Sequence, residues 1–126
     1  MAVACPCGSG EGFAACCRPL LRGEREAATA SALMRSRYTA YVRRDQEYLL
    51  RTWHPSTRPD LLELEGIRWR GLDVRAAVKG GESDTEGTVS FTALFEDAAG
   101  AAAAMHETSR FVRESRRWVY VDGDVD

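Results

Sequence analysis

Long hydrophobic runs are missing from this sequence. The longest stretch free of polar side chains, residues 98–105, is mostly alanine and far short of the roughly 18 apolar residues that a membrane span needs, so no spanning helix is expected. An excess of positive charge is missing too. With 17 Lys+Arg against 19 Asp+Glu the net charge is −2, and no overall basic footprint for duplex DNA exists. Lysine is nearly absent, Lys79 alone standing against sixteen arginines. A secretory leader is also lacking, since only Met1 to Ala4 precede Cys5, which predicts a reducing, cytoplasmic setting. Glycine-rich phosphate loops are absent from any strand-to-helix junction: Gly8, Gly10 and Gly12 lie inside a cysteine cluster, so no nucleotide site is expected. The 126 residues suffice for one ordinary domain and not for two.

What is present begins with that cluster. All four cysteines, Cys5, Cys7, Cys16 and Cys17, fall within the first 17 residues, spaced C-x-C-x8-C-C. Two close pairs joined by a short turn can converge on a tetrahedral ion with sulfurs at about 2.3 Å. Gly8, Gly10 and Gly12 offer positive φ for the wrapping turn, and Pro6 stiffens the first pair. Disulfides or redox thiols are the competing reading, disfavoured by the compartment. Zn2+ is the expected ion, with Fe2+ left open. Four protein ligands close the shell, so the metal is expected to be structural. Four thiolates around a divalent cation carry net negative charge, and Arg18 and Arg22 are the expected outer partners.

The rest of the chain changes period part-way. Leu33, Met34, Tyr38, Tyr41 and Val42 recur at helical spacing, with Thr29 or Ser31 as cap. Asp45 caps a shorter helix burying Tyr48, Leu49 and Trp53, which stops at Pro55 and Pro59. From Ile67 the period becomes two: Ile67 and Trp69, an irregularity at Gly71, then Leu72, Val74, Ala76 and Val78. Val89 to Phe95 repeats it, and Met105 to Arg113 and Arg117 to Val121 form two further strands across a hairpin. Helices followed by strands predict an α+β fold: a curved antiparallel meander packed on helices, a cone with a mouth.

Few residues offer chemistry. His106 and Glu107 are adjacent in a strand and must point to opposite faces. On the inner face, with Met105, Ser109 and Phe111, Glu107 would be a carboxylate inside the cone, with Arg35, Arg37 or Arg110 as partner. Tyr38 and Tyr41 would position a ligand beside it. His54, at the end of the second helix, is a lesser catalytic candidate whose ring a carbonyl or carboxylate could orient, and reads mainly as a helix-end histidine against the last carbonyls. The aromatic residues Trp53, Trp69, Phe91, Trp118 and Tyr120 serve as core or as pocket lining.

Two sets of residues carry a family resemblance. Cys5-Pro6-Cys7-Gly8-Ser9-Gly10, Phe13 and Cys16-Cys17 resemble the SEC-C metal-binding motif, also found at the end of a protein-translocation ATPase, with Cys17 where that protein has His. The blocks Leu33 to Tyr41, Thr52 to Pro59, His106 to Phe111 and Trp118 to Gly123 resemble the YchJ family. The resemblance implies a SEC-C-like zinc motif over residues 1–22 and a nuclear-transport-factor-2-like, cystatin-like cone over residues 27–126. It implies no established reaction. The function expected first is a binding or adaptor role for the knuckle, with a ribosome or secretion chaperone as partner by analogy. An enzyme or small-molecule binder using the cone, with Glu107 as general base, is the alternative. A homodimer through the sheet is a further possibility of the fold.

Overall fold

The computed structural model describes residues 3–126, so the first two residues of the expected motif lie outside the described residues. The chain begins as a small knuckle. Cys5 N–H bonds Glu11 O at 2.9 Å and Phe13 N–H bonds Val3 O at 2.8 Å, closing a loop over residues 3–13. A single 3-10 turn, Phe13–Ala15, leads to the short helix α1, Arg18–Leu21, with Pro19 in its first turn, where a missing N–H costs nothing.

The central helix α2 spans Ala30–Arg43. Of the two expected caps Thr29 serves: its hydroxyl accepts Ala32 N–H at 3.0 Å, satisfying one of the helix's orphan donors. Arg44 takes a left-handed conformation at the other end. Asp45 then accepts Tyr48 N–H at 3.1 Å and starts α3, Gln46–Arg51. The helix stops before Pro55, and Trp53 lies beyond it. There Trp53 and His54 run alongside the last strand, with Tyr120 N–H to Thr52 O at 2.8 Å and His54 N–H to Tyr120 O at 2.7 Å.

Four strands follow in a simple meander: β1 Arg68–Lys79, β2 Glu86–Glu96, β3 Ala102–Glu114 and β4 Arg117–Val125, each antiparallel to the next. The β3–β4 turn consists of Ser115 and Arg116, both at positive φ, the geometry that matches the twist of paired strands. β3 starts three residues earlier than the period suggests, because Ala102 to Ala104 pair with Leu94 to Glu96 although alanine is a poor strand former. β4 continues past Val121 to Val125, paired with Glu107 at its far end.

The irregularity expected at Gly71 is present, and a second lies between Val74 and Ala76. A bulge adds one residue and reverses which face the following residues take. Ala77 therefore pairs with inward-facing Val89, while Val78 pairs with Thr88 and is 63% exposed. Placing Ala76 and Val78 on the core face is thus corrected.

Leu33, Val89, Phe91, Phe111 and Trp118 are buried between α2 and the sheet. α2 is covered on its other side as well. Ser36, Thr39 and Ala40 are buried, Ser36 because its Oγ meets the Tyr48 hydroxyl of α3 at 2.6 Å, Thr39 because the knuckle lies on it. Val42 stays on the rim. Among the described residues, no helix is long and apolar enough to cross a membrane.

Candidate metal centre and interior cavity

The four cysteine sulfurs lie within 4.8 Å of one another. In a tetrahedron of sulfurs 2.3 Å from a central ion each edge would be about 3.8 Å. Cys7 Sγ to Cys16 Sγ is 3.7 Å and Cys16 Sγ to Cys17 Sγ is 4.0 Å. Those separations fit a shared ion and are nearly double a disulfide bond; all four cysteines are free. The donor set is therefore suited to a thiophilic divalent cation, with Cys5, Cys7, Cys16 and Cys17 holding it.

The knuckle builds this arrangement by local backbone geometry. Gly8 and Gly10 take positive φ, turning the chain between the two pairs. Gly12, expected to do the same, is extended because it bridges to Ala4. Ser9 Oγ stands 3.2 Å from Cys16 Sγ. Hydrogen bonding from Cys17 favours the Cys7 thiolate and lowers its pKa to about 4. The Cys7 interaction and then burial push Cys17 upward, and burial pushes Cys16 upward. Crowded sulfurs thus resist carrying several negative charges at once, which a divalent cation would relieve.

The partners that sequence alone does not reveal come from α2. Thr39, fully buried, donates its hydroxyl to Cys17 Sγ at 3.3 Å and lies 3.8 Å from Cys5 Sγ. Arg35 donates to Cys7 O at 2.7 Å. The expected partners Arg18 and Arg22 make no side-chain hydrogen bond or ion pair among the described residues; the guanidinium that meets the cysteine loop belongs to α2, which underlies it, and Arg25 Nη2 donates to Ala15 O at 3.4 Å. The other arginines of this half scatter: Arg43 lies over the Phe13 ring at 4.6 Å, and Arg44 pairs with Glu65.

On the opposite side of α2 is a cavity of about 140 Å³. Tyr38, Tyr41 and Glu107 line it, as do Arg37, Ser109 and Tyr120. Glu107 and His106 do face opposite sides: His106 Nδ1 meets Thr92 Oγ1 at 2.8 Å on the outer face, while Glu107 accepts the buried Ser109 hydroxyl at 2.5 Å within. Gly123 makes room for this carboxylate, since any β-carbon there would overlap it.

Of the three arginines expected to face Glu107, only Arg37 shares its cavity. Arg110 is corrected: it extends from the outer face, where Nε donates to Asp122 at 2.5 Å and Nη1 to Asp124 at 2.8 Å, because strand alternation puts it opposite Ser109 and Phe111. Arg37 is only 4% exposed. Its Nη1 donates to Leu49 O at 2.8 Å and Thr52 Oγ1 at 2.7 Å, and its Cζ lies over the Tyr120 and Trp53 rings, 4.6 and 5.0 Å from their centroids. The signal for it was in the sequence, three residues after Met34 and four before Tyr41 on the core stripe. Burial pushes its pKa down, and the group nonetheless stays protonated. Burial also raises the Tyr41 and Tyr120 hydroxyls, the latter to about 12, so both remain proton donors at neutral pH.

His54 lies outside the cavity. Its Nε2 is 3.1 Å from a Glu114 carboxylate oxygen, and Nδ1 accepts Ser56 N–H at 3.1 Å. A carboxylate rather than the last helical carbonyls thus orients the ring.

Comparison with known proteins agrees with this two-part anatomy. Residues 3–19 match the SEC-C motif, and residues 29–123 match the family described as YchJ, middle NTF2-like domain. The chain belongs to the YchJ family. A UPF0225 protein of Chromobacterium violaceum is 52% identical, the match covering 98% of this chain and 93% of that one. The UPF0225 protein of Streptomyces coelicolor is 47% identical over 95% and 94% of the two chains. Among solved structures, a SEC-C motif-containing protein of Rhodopseudomonas palustris superposes with a TM-score of 0.84 at 35% identity, covering 98% of both chains. One from Psychrobacter arcticus gives 0.77 at 30% identity, over 94% of this chain and 80% of that one. The YchJ fold is accordingly α+β, a nuclear-transport-factor-2-like cone with a SEC-C knuckle.

Proposed function

We propose that this YchJ-family chain is a cytoplasmic binding protein whose knuckle, held by a structural Zn2+ on Cys5, Cys7, Cys16 and Cys17, presents a surface to a macromolecular partner. The observation that carries the reading is the way the sulfur cluster is seated. Its inner side rests on Thr39 and Arg35 of α2, while residues 8–11 and 22–26 around it are exposed. A closed four-sulfur shell offers no open position for water or substrate, which favours shape over chemistry. By analogy with the SEC-C module of the translocation ATPase, the partner is a ribosome or a secretion chaperone.

Catalysis in the cone, with Glu107 as general base, has less support. The cavity of about 140 Å³ is below the roughly 300 Å³ where pockets for drug-sized ligands begin.

Elemental analysis of anaerobically purified protein tests the metal: one zinc per chain is expected, and its loss in Cys16→Ser. Co-sedimentation with purified ribosomes, and gel filtration with a purified secretion chaperone, test the partner. Binding by the zinc-loaded chain that weakens at least tenfold in Arg22→Glu supports the adaptor role; failure to bind either one overturns it.

A further inference from the structure

The cavity between α2 and the sheet has an unusual electrical composition. Beside its polar groups it is walled by Met34, Trp69, Phe91, Ala93 and Met105, enough apolar surface for a ring-sized guest: a cavity of about 150 Å³ holds benzene. Into this space project one cation and one anion. Arg37 and Glu107 line the same cavity, yet no ion pair within 4.0 Å joins them among the described residues. Arg37 is buried and Glu107 part-buried, and a buried charge without a charged partner is expensive to keep.

Neither charge is fully satisfied by the protein. Arg37 spends Nη1 on α3 and the residue after it, while Nε and Nη2 donate no hydrogen bond within 3.5 Å among the described residues and, unlike the Trp53 indole N–H, are not shut off from the surrounding space. Glu107 takes one hydroxyl, from Ser109, of the several donors a carboxylate can accept. The fold nevertheless holds both in place. Gly123 leaves the trench in which the carboxylate lies, and Trp53 and Tyr120 clamp the guanidinium.

We propose that this cavity is a binding site for a small, planar, uncharged molecule of about six to nine non-hydrogen atoms that accepts hydrogen bonds at the Arg37 end and donates them at the Glu107 end. The two formal charges cancel, so a neutral dipolar guest is complementary to the site as a whole. An anion would leave Glu107 facing like charge, and a cation would do so to Arg37. Trp69 and Phe91 supply the walls for the flat face of such a guest. Amides of aromatic rings and donor–acceptor heterocycles belong to this class. The site is independent of the metal and of the knuckle's partner.

Three probes of matching shape and different charge separate the possibilities: benzamide, benzoate and benzamidinium, titrated into the zinc-loaded chain at pH 7 by calorimetry or ligand-observed NMR. Saturable binding of benzamide, at least tenfold tighter than either ion, is the expected result. Glu107→Gln, which keeps the side-chain shape and a partner for Ser109, should move the preference toward benzoate by at least tenfold, because Arg37 is then uncompensated. Ala93→Leu, which fills the space, should abolish benzamide binding while circular dichroism stays native. No saturable binding by any probe, equal binding of all three, or an unchanged order in Glu107→Gln would each overturn the proposal; the wild-type order alone decides it if a variant fails to fold.

Discussion

The knuckle and the cone are held together by different means. In the cone, large apolar side chains meet across α2 and the sheet: Leu33, Val89 and Phe111 are all but inaccessible. In the knuckle, the buried residues up to α1 are Cys5, Cys7 and Cys17, and its backbone is a loop with two ladder-like hydrogen bonds. A segment of that length cannot assemble a core of its own. What it has instead is a set of four sulfurs and the back of a helix that belongs to the cone. α2 thus serves two neighbours, with Leu33, Met34 and Arg37 toward the sheet and Arg35 and Thr39 toward the sulfurs. One lesson is that the SEC-C motif in this chain is completed by residues outside its own boundaries.

Substitutions on the two sides of α2 should separate these modes. The largest effect is expected from Phe111→Ala, which opens a cavity at the middle of the cone and should cost about 3–5 kcal/mol. Chemical denaturation should show a lower midpoint for the whole chain, knuckle included, since the knuckle's floor is lost with α2. A smaller effect is expected from Thr39→Val, which keeps volume and removes the hydroxyl at Cys17. About 1 kcal/mol of stability is at stake, and faster transfer of the metal to a chromogenic chelator is the more specific readout. An unchanged transfer rate would mean that the cone does not support the sulfur site.

The smallest effect belongs to the outer face of the sheet. Asp124 is held below its ordinary pKa by hydrogen bonding and attraction to Arg110, but both groups are exposed to water, where such pairs contribute little. A depressed carboxyl contributes its stability above its unfolded value and loses it as pH falls through the folded one. The thermal midpoints of wild type and Arg110→Ala should therefore differ slightly at pH 7 and converge at a pH below 3.8, the usual aspartate value. A gap that widens on acidification would contradict the pairing.

Much of this anatomy could be read from residues alone, and the parts that could not share a cause. The cysteine quartet, the Thr29 and Asp45 caps, the meander and the bulge at Gly71 are local patterns and were legible. The bulge between Val74 and Ala76 carries no glycine or proline to announce it, so the phase of the last part of β1 was misread. Arg110 resembled an interior partner for Glu107 only while its face was unassigned; counting alternation from Ser109 sends it outward. Nothing in the sequence singles out Thr39 and Ser36, because their partners, Cys17 and Tyr48, come from elements whose packing on α2 is a tertiary fact. Arg37 lay on the apolar stripe, but only the closed fold shows it sharing one cavity with a carboxylate.

The seating of the knuckle on α2 is proposed to depend on a bound cation. Hydrogen exchange followed by mass spectrometry on anaerobically prepared protein, before and after removal of the metal by chelation, addresses it directly. The predicted result is that residues 3–22 exchange slowly only when the metal is bound, with the amides of β2 and β3 protected in both states. Equal protection of the knuckle with and without metal would contradict it.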